Sequence, residues 1–445
     1  MNFKNFLGLA ALPLLLVSCD SHIDDQTIIT ESQVKLVNPT ANLRDFTAIN
    51  AGHKVLLAVM DSGIDYNHPL LKQNIHFSLD QSGAPVSAGW DLIGNDPWPA
   101  PFVARTNYFN PGLSDQDRKK SLDMLNAAET LLLEYPDLAR YFPSERNIEE
   151  EETEGVNHGT HVAGLASYDS PEIGIVGYRV LPMNIPAEDT AVDEIGASRN
   201  FGDILIKGLN QAIADGATVI NMSLGVSMKE SDGEMKKSFF DDFKKNLVNV
   251  VNANPEVIFV VAAGNDGQWI DGTSVSTLPC FIPKKNVICV SALTAGMELA
   301  SFSNIIKNAE ITTIFAWGDE ILSTVPGSSC SSPLLDYDNI KKGPEARAEF
   351  AKIARVECLK DMSLKSMSGT SMASPVIARK IAKLRAQFPE SSALEIKEKL
   401  FASAGPGKIG DMNVWKLAVE KPSWYSNQKS KKFIRPNWNF FILKK

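Results

Sequence analysis

Short, unbroken apolar runs alternate with amphipathic stretches along much of this chain. Lys54–Met60, Ala217–Met222, Val257–Ala263, Val287–Ala292 and Ile311–Ala316 are such runs, each bounded by polar turns. A run with no polar alternation suits a buried parallel strand, because helices cover both faces of its sheet. Between two of them, Ile204, Leu205, Leu209, Ala212 and Ile213 share one helical face within Phe201–Asp215, and Gly216 follows as a C-terminal cap. The alternation predicts an α/β fold: a doubly wound, mostly parallel sheet with helices on both faces and right-handed crossovers.

Two regions interrupt that rhythm and are expected to be insertions, at about 72–150 and 328–365. The first carries an amphipathic stretch at 114–140 and the second a helix near Pro344–Lys360. Around them the expected organisation is one domain over 51–420, a polar tether at 19–50 and a basic, aromatic tail at 421–445. The first 18 residues have a different character. An apolar run from Phe6 to Val17, too short for a stop-transfer helix, ends in Leu16-Val17-Ser18-Cys19, which resembles a bacterial lipobox. Removal of residues 1–18 and acylation of Cys19 would make the protein an exported, membrane-anchored lipoprotein of the cell envelope, since each buried methylene adds roughly 0.8 kcal/mol.

Composition narrows the classes further. The 445 residues are 44% hydrophobic and 22% charged, as in a folded globular protein, and the net charge of −9 disfavours a nucleic-acid partner. Setting Cys19 aside, Cys280, Cys289, Cys330 and Cys358 allow three pairings, which spacing does not decide. Cys330 with Cys358 would close a loop inside the second insertion, and Cys289, inside an apolar run, is expected to act as a small buried hydrophobe. None is spaced like a zinc ligand.

Four stretches carry chemistry. Asp61 ends an apolar strand in Val59–Asp65, the place where a parallel sheet presents side chains at its carboxyl edge. His158 and His161 lie in Asn157-His158-Gly159-Thr160-His161, three apart with no Glu between them, which is not the zincin spacing. His158 is assigned the chemistry and His161 a structural, hydrogen-bonded role. Ser371, in Gly369-Thr370-Ser371, opens an apolar helical stretch whose amides and dipole favour negative charge. Asn265 follows Val261-Ala262-Ala263-Gly264 and offers a side-chain amide to a developing oxyanion. Asp, His and Ser in that order fit acyl transfer by a triad, and no Gly-x-Ser-x-Gly elbow points to an esterase of the α/β-hydrolase kind.

Together these motifs resemble the subtilisin-like serine proteases, the subtilases. The likeness extends to Asp65, His68-Pro69, Val219–Gly225, Ala300–Asn304 and Thr324–Gly327. It implies a serine endopeptidase acting on proteins or peptides, with Asp61, His158 and Ser371 as triad and Asn265 at the oxyanion. It also implies that Ser223, Leu224 and Gly225 pair with an extended peptide, while Ala262, Ala263 and Gly264 wall the adjoining pocket. No cofactor is expected for catalysis; structural calcium is common in the family, but no ligand set for it stands out here. Three positions depart from the family pattern: Val226 in place of a second glycine, Trp317 in place of a proline, and Arg379 in place of a glycine.

Overall fold

The computed structural model describes residues 27–29, 46–101 apart from 67, 94, 96 and 100, then 130–131, 134–135, 150–181, 194–272, 275–326, 342–358 and 362–428. Among them are seven α-helices: α1 (Phe46–Gly52), α2 (Glu150–Ser167), α3 (Glu194–Ala214), α4 (Glu234–Ala253), α5 (Pro344–Cys358), α6 (Thr370–Gln387) and α7 (Ala393–Ser403). The strands that position the site are β1 (Thr27–Ile29), β2 (Val55–Asp61), β3 (Gly89–Asp91), β4 (Ile173–Arg179), β5 (Val219–Met222), β6 (Val226–Lys229) and β7 (Ile258–Ala262). They continue with β8 (Val275–Leu278), β9 (Val287–Leu293), β10 (Thr313–Trp317), β11 (Ile321–Thr324), β12 (Met362–Met367), β13 (Gly405–Ile409) and β14 (Met412–Lys416).

Nine strands form one sheet in the order β13-β14-β10-β9-β7-β5-β2-β4-β3, parallel throughout except for the terminal β13–β14 hairpin. All five apolar runs became strands of this sheet, and the amphipathic Phe201–Asp215 stretch is the body of α3. Alternate residues of the strands feed two separate cores. Leu57, Val59, Ile175, Val260 and Val290 pack with Val162, Ala163, Met372 and Ile396 of α2, α6 and α7. Ala58, Met60, Ile220, Phe259 and Val261 pack with Leu205 and Leu209 of α3 and with Phe243 and Leu247 of α4. Each large side chain so buried contributes roughly 1.5–3 kcal/mol.

The sheet has a topological switch between β2 and β5. From β2 the chain passes through α2 to β4 on one side; from β5 it passes through α4 to β7 on the other. Connections that diverge from neighbouring carboxyl ends leave a crevice between them. Asp61 closes β2 and Ser223 follows β5, so both stand at that crevice.

Several expectations change. Residues 72–101 were expected to open an insertion, yet Ile75 and Phe77 join the core and β3 becomes an edge strand of the main sheet. Likewise β12, which begins at Met362, pairs antiparallel with β11. The expected tether contains β1, which pairs with β12, and α1. At the other end, the Trp424 indole donates to the Leu322 carbonyl and the Tyr425 hydroxyl accepts from the Leu322 amide, fastening the start of the tail to β11. The helix expected near 344–360 is α5, while most of the amphipathic stretch at 114–140 lies outside the described residues.

Cys289 is not an isolated hydrophobe: it forms a buried disulfide with Cys280, tying β9 to the turn after β8. Cys330 lies outside the described residues, as do the side chain of Cys358 and all of Cys19. Replacing Cys280 and Cys289 together by Ala is expected to lower stability by about 2–4 kcal/mol, seen as a lower urea midpoint; an unchanged midpoint would contradict a structural role for the bridge.

Candidate active site

Asp61, His158 and Ser371 reach the crevice on three different elements. Odd-numbered residues of β2 face α2 and α6, so Asp61 points toward the helix that carries His158. The His158 Nδ1–H donates to Asp61 Oδ1 at 2.8 Å, and both side chains are buried. Because a carboxylate only accepts, this bond places a proton on Nδ1. The Ser62 amide donates to the same Oδ1 at 2.7 Å, which holds that oxygen in place.

Two glycines let α2 come this close. A Cβ on Gly159 would run into the Gly63 carbonyl oxygen, and one on Gly164 into the hydroxyls of Ser323 and Thr324. Those hydroxyls donate to the His161 and Thr160 carbonyls at 2.9 and 2.8 Å, holding α2 against β11. His161 has the structural role expected of it. Its Nε2 lies 3.1 Å from the Ile321 carbonyl and 3.0 Å from that of Lys365, bridging β11 and β12. Complete burial pushes its pKa down to about 3, so it is neutral at any physiological pH.

Ser371 occupies the first turn of α6, where the N–H of residue 375 would ordinarily donate to the Ser371 carbonyl. Pro375 has no N–H to give. The Ser223 hydroxyl supplies the missing donor at 2.7 Å. Ser223 in turn accepts from Asn221 Nδ2 at 3.0 Å, and Asn221 Oδ1 accepts from the Ser374 hydroxyl at 2.7 Å. The Ser371 hydroxyl itself lies 3.3 Å from the Ser223 carbonyl oxygen.

A second network orients Asn265. Its Oδ1 accepts from both the amide and the hydroxyl of Thr370, each at 2.9 Å, and the Thr370 hydroxyl accepts from the Gly264 amide at 3.0 Å. With Oδ1 facing two donors, the amide cannot be flipped, and Nδ2 is held at the opposite end.

Ser223, Leu224, Ala262, Ala263 and Gly264 are all buried. The Ser223 side chain is spent on Ser371, so only main chain of this segment remains to meet a ligand. Val226 starts β6, pairs with Leu278 and packs in the core. The Trp317 indole N–H donates to the Asp319 carbonyl while its ring packs on Tyr425. Arg379 is buried against the Tyr168 ring and donates to the Tyr168 hydroxyl and to Glu420, so it joins α6 to the chain after α2. Among the described residues no group of three or more His, Cys, Asp or Glu is placed to hold a metal.

Thr370, Asn221 and Ser374 were not singled out from sequence. Asn221 had a signal: an amide inside the apolar run Val219–Met222 must find partners when buried.

The match to the Peptidase_S8 subtilase family spans residues 52–431, so the chain belongs to the subtilase family and is a serine endopeptidase. The intracellular serine protease of Paenibacillus polymyxa is 27% identical over 279 residues, covering 60% of this chain and 68% of that protein. The major intracellular serine protease of Bacillus subtilis (strain 168) is 33% identical over 171 residues, covering 38% and 47%. Among solved structures, a lanthipeptide protease is 20% identical with a TM-score of 0.48, covering 84% of this chain and 89% of its own. Members of the family need no catalytic cofactor.

His161→Gln tests the buried imidazole. Its folded pKa lies below the unfolded value of 6.5, so its contribution is present above 6.5 and fades as pH falls toward about 3. The parent should therefore lose stability more steeply than a folded His161→Gln variant across that interval, by about 1.4 kcal/mol per pH unit. His53 and His76, also depressed by burial, add to the slope of both proteins, and parallel slopes would contradict the assignment.

Proposed function

We propose that the chain hydrolyses peptide bonds through Asp61, His158 and Ser371, assisted at the oxyanion by Asn265, as a lipid-anchored enzyme of the cell envelope. The observation that carries the reading is the 2.8 Å bond from His158 Nδ1–H to Asp61 Oδ1, with Ser371 in the first turn of α6, which shares a core with α2. An extended peptide lies along the main chain of Ser223, Leu224 and Gly225, next to the wall of Ala262, Ala263 and Gly264. Ser371 Oγ attacks the scissile carbonyl as His158 Nε2 takes its proton, and Asp61 stabilises the imidazolium. Negative charge developing on the carbonyl oxygen meets Asn265 Nδ2–H and the Ser371 amide. His158 then protonates the leaving amine, and water attacks the acyl-enzyme by the same route. Tethering rests on the lipobox-like Leu16–Cys19 segment and acylated Cys19.

Casein hydrolysis by the full chain in detergent tests this. Ser371→Ala should lose more than about 10³-fold, and Asn265→Ala about 10²–10³-fold in kcat with KM nearly unchanged. Full activity in a folded Ser371→Ala protein would overturn the assignment. For the anchor, radiolabelled palmitate should enter the parent and not Cys19→Ala; equal labelling of both would rule it out.

A further inference from the structure

Three charged side chains stand in a row beneath the site. Asp61, Arg179 and Asp91 occupy matching positions on the neighbouring parallel strands β2, β4 and β3, with Asp61 in register with Arg179 and Arg179 in register with Asp91. The core partition puts all three on one face. Ile173 and Ile175 of β4 join the core under α2 and α6 while Val176 and Tyr178 join the opposite one, so Arg179 falls on the α2 side, as Asp61 does. Trp90 packs on the far side, which turns Asp91 toward Arg179.

All three are buried: Asp61 is 0%, Arg179 3% and Asp91 4% exposed. A guanidinium cannot shed its charge, so its burial demands compensation. Arg179 Nη1 donates to Asp91 Oδ2 at 2.8 Å, which anchors one edge of the fork. The other edge is unspent. Arg179 Nε is a buried donor without a partner among the described residues, and Asp61 Oδ2, the oxygen not taken by His158 and Ser62, is a buried acceptor in the same position. An orphan donor and an orphan acceptor thus sit on adjacent strands, on one face, in register.

We propose that Arg179 is a positioning residue for Asp61: anchored by Asp91, its guanidinium fixes the plane of the Asp61 carboxylate, with Nε–H reaching Oδ2 through one bridging water. The inference rests on Asp61 acting with His158 as described above. A buried water with such partners is ordinary in protein interiors. The pairing with Asp91 places positive charge one strand from Asp61 and the balancing negative charge two strands away. The row therefore acts on the Asp61–His158 pair as a dipole with its positive end nearer. Other buried charged or titratable groups, among them Asp65, Tyr66, His68, His161, Lys365 and Arg379, are common to all the proteins compared below, and His161 is neutral throughout.

The experiment compares the full chain with Asp91→Asn, with Asp91→Asn/Arg179→Gln and with Asp61→Asn, using kcat, KM and the pH profile of kcat/KM on a fluorogenic peptide. Asp91→Asn leaves the guanidinium unneutralised, which disfavours the imidazolium, so the acid limb should move down by about half a pH unit or more. The double variant replaces the ion pair by two neutral amides of similar shape. Its acid limb should lie above that of the parent, and its kcat should fall several-fold at unchanged KM. A merely structural pair would move neither limb. Should Asp91→Asn fail to fold, the double variant decides alone. Parental kcat and an unmoved limb in the folded double variant overturn the proposal. If Asp61→Asn is fully active, the assignment of Asp61 fails and the proposal with it; if it is inactive beside an unaltered double variant, only the role of Arg179 fails.

Discussion

The site depends on one carbonyl. Pro375 leaves the Ser371 C=O without its helical donor, and a buried unpaired carbonyl would cost about 1–3 kcal/mol. The Ser223 hydroxyl meets that need, and Asn221 and Ser374 complete a closed chain of side chains around it. This network binds the first turn of α6 to the end of β5. Thr370 binds the same turn to the end of β7 through Asn265 and Gly264. The Ser371 hydroxyl and the Asn265 amide are thus set by hydrogen bonds that are each satisfied at both ends, which makes a buried polar network rigid rather than a liability.

His158 is positioned from the other side. Its helix lies against β2 because position 159 has no side chain, and it is pinned to β11 by hydroxyls that take the place of a Cβ at position 164. His161 then holds β11 and β12 together beneath that helix. Arg379 and Glu420 add a third restraint, linking α6 to the residue that follows α2. Relative placement of the three chemical groups therefore comes from strand ends and helix starts of the rigid sheet, not from long loops.

Much of this was legible in the sequence, and the reasons are physical. A parallel strand covered on both faces is an apolar run, so β2, β5, β7, β9 and β10 announced themselves within a residue or two. The motifs around Asp61, His158, Asn265 and Ser371 pointed to the candidate site because backbone conformation and side-chain chemistry are both specified there. The edge strand β3 was hidden: Gly89-Trp90-Asp91 is too short to show a pattern and ends in a charge whose partner, Arg179, lies 88 residues away. Cys289 was hidden because a half-cystine in an apolar strand has the same neighbours as a buried thiol. The supporting residues Thr370 and Ser374 were hidden because a hydroxyl at a helix start is usually only a cap.

Mapping the adduct of a fluorophosphonate on the full chain by mass spectrometry addresses the central claim most directly. The account predicts one adduct per chain, on Ser371, formed rapidly in the parent and lost in a folded His158→Ala variant, since the hydroxyl reacts only when His158 takes its proton. An adduct on another serine, or unchanged labelling without His158, would contradict it.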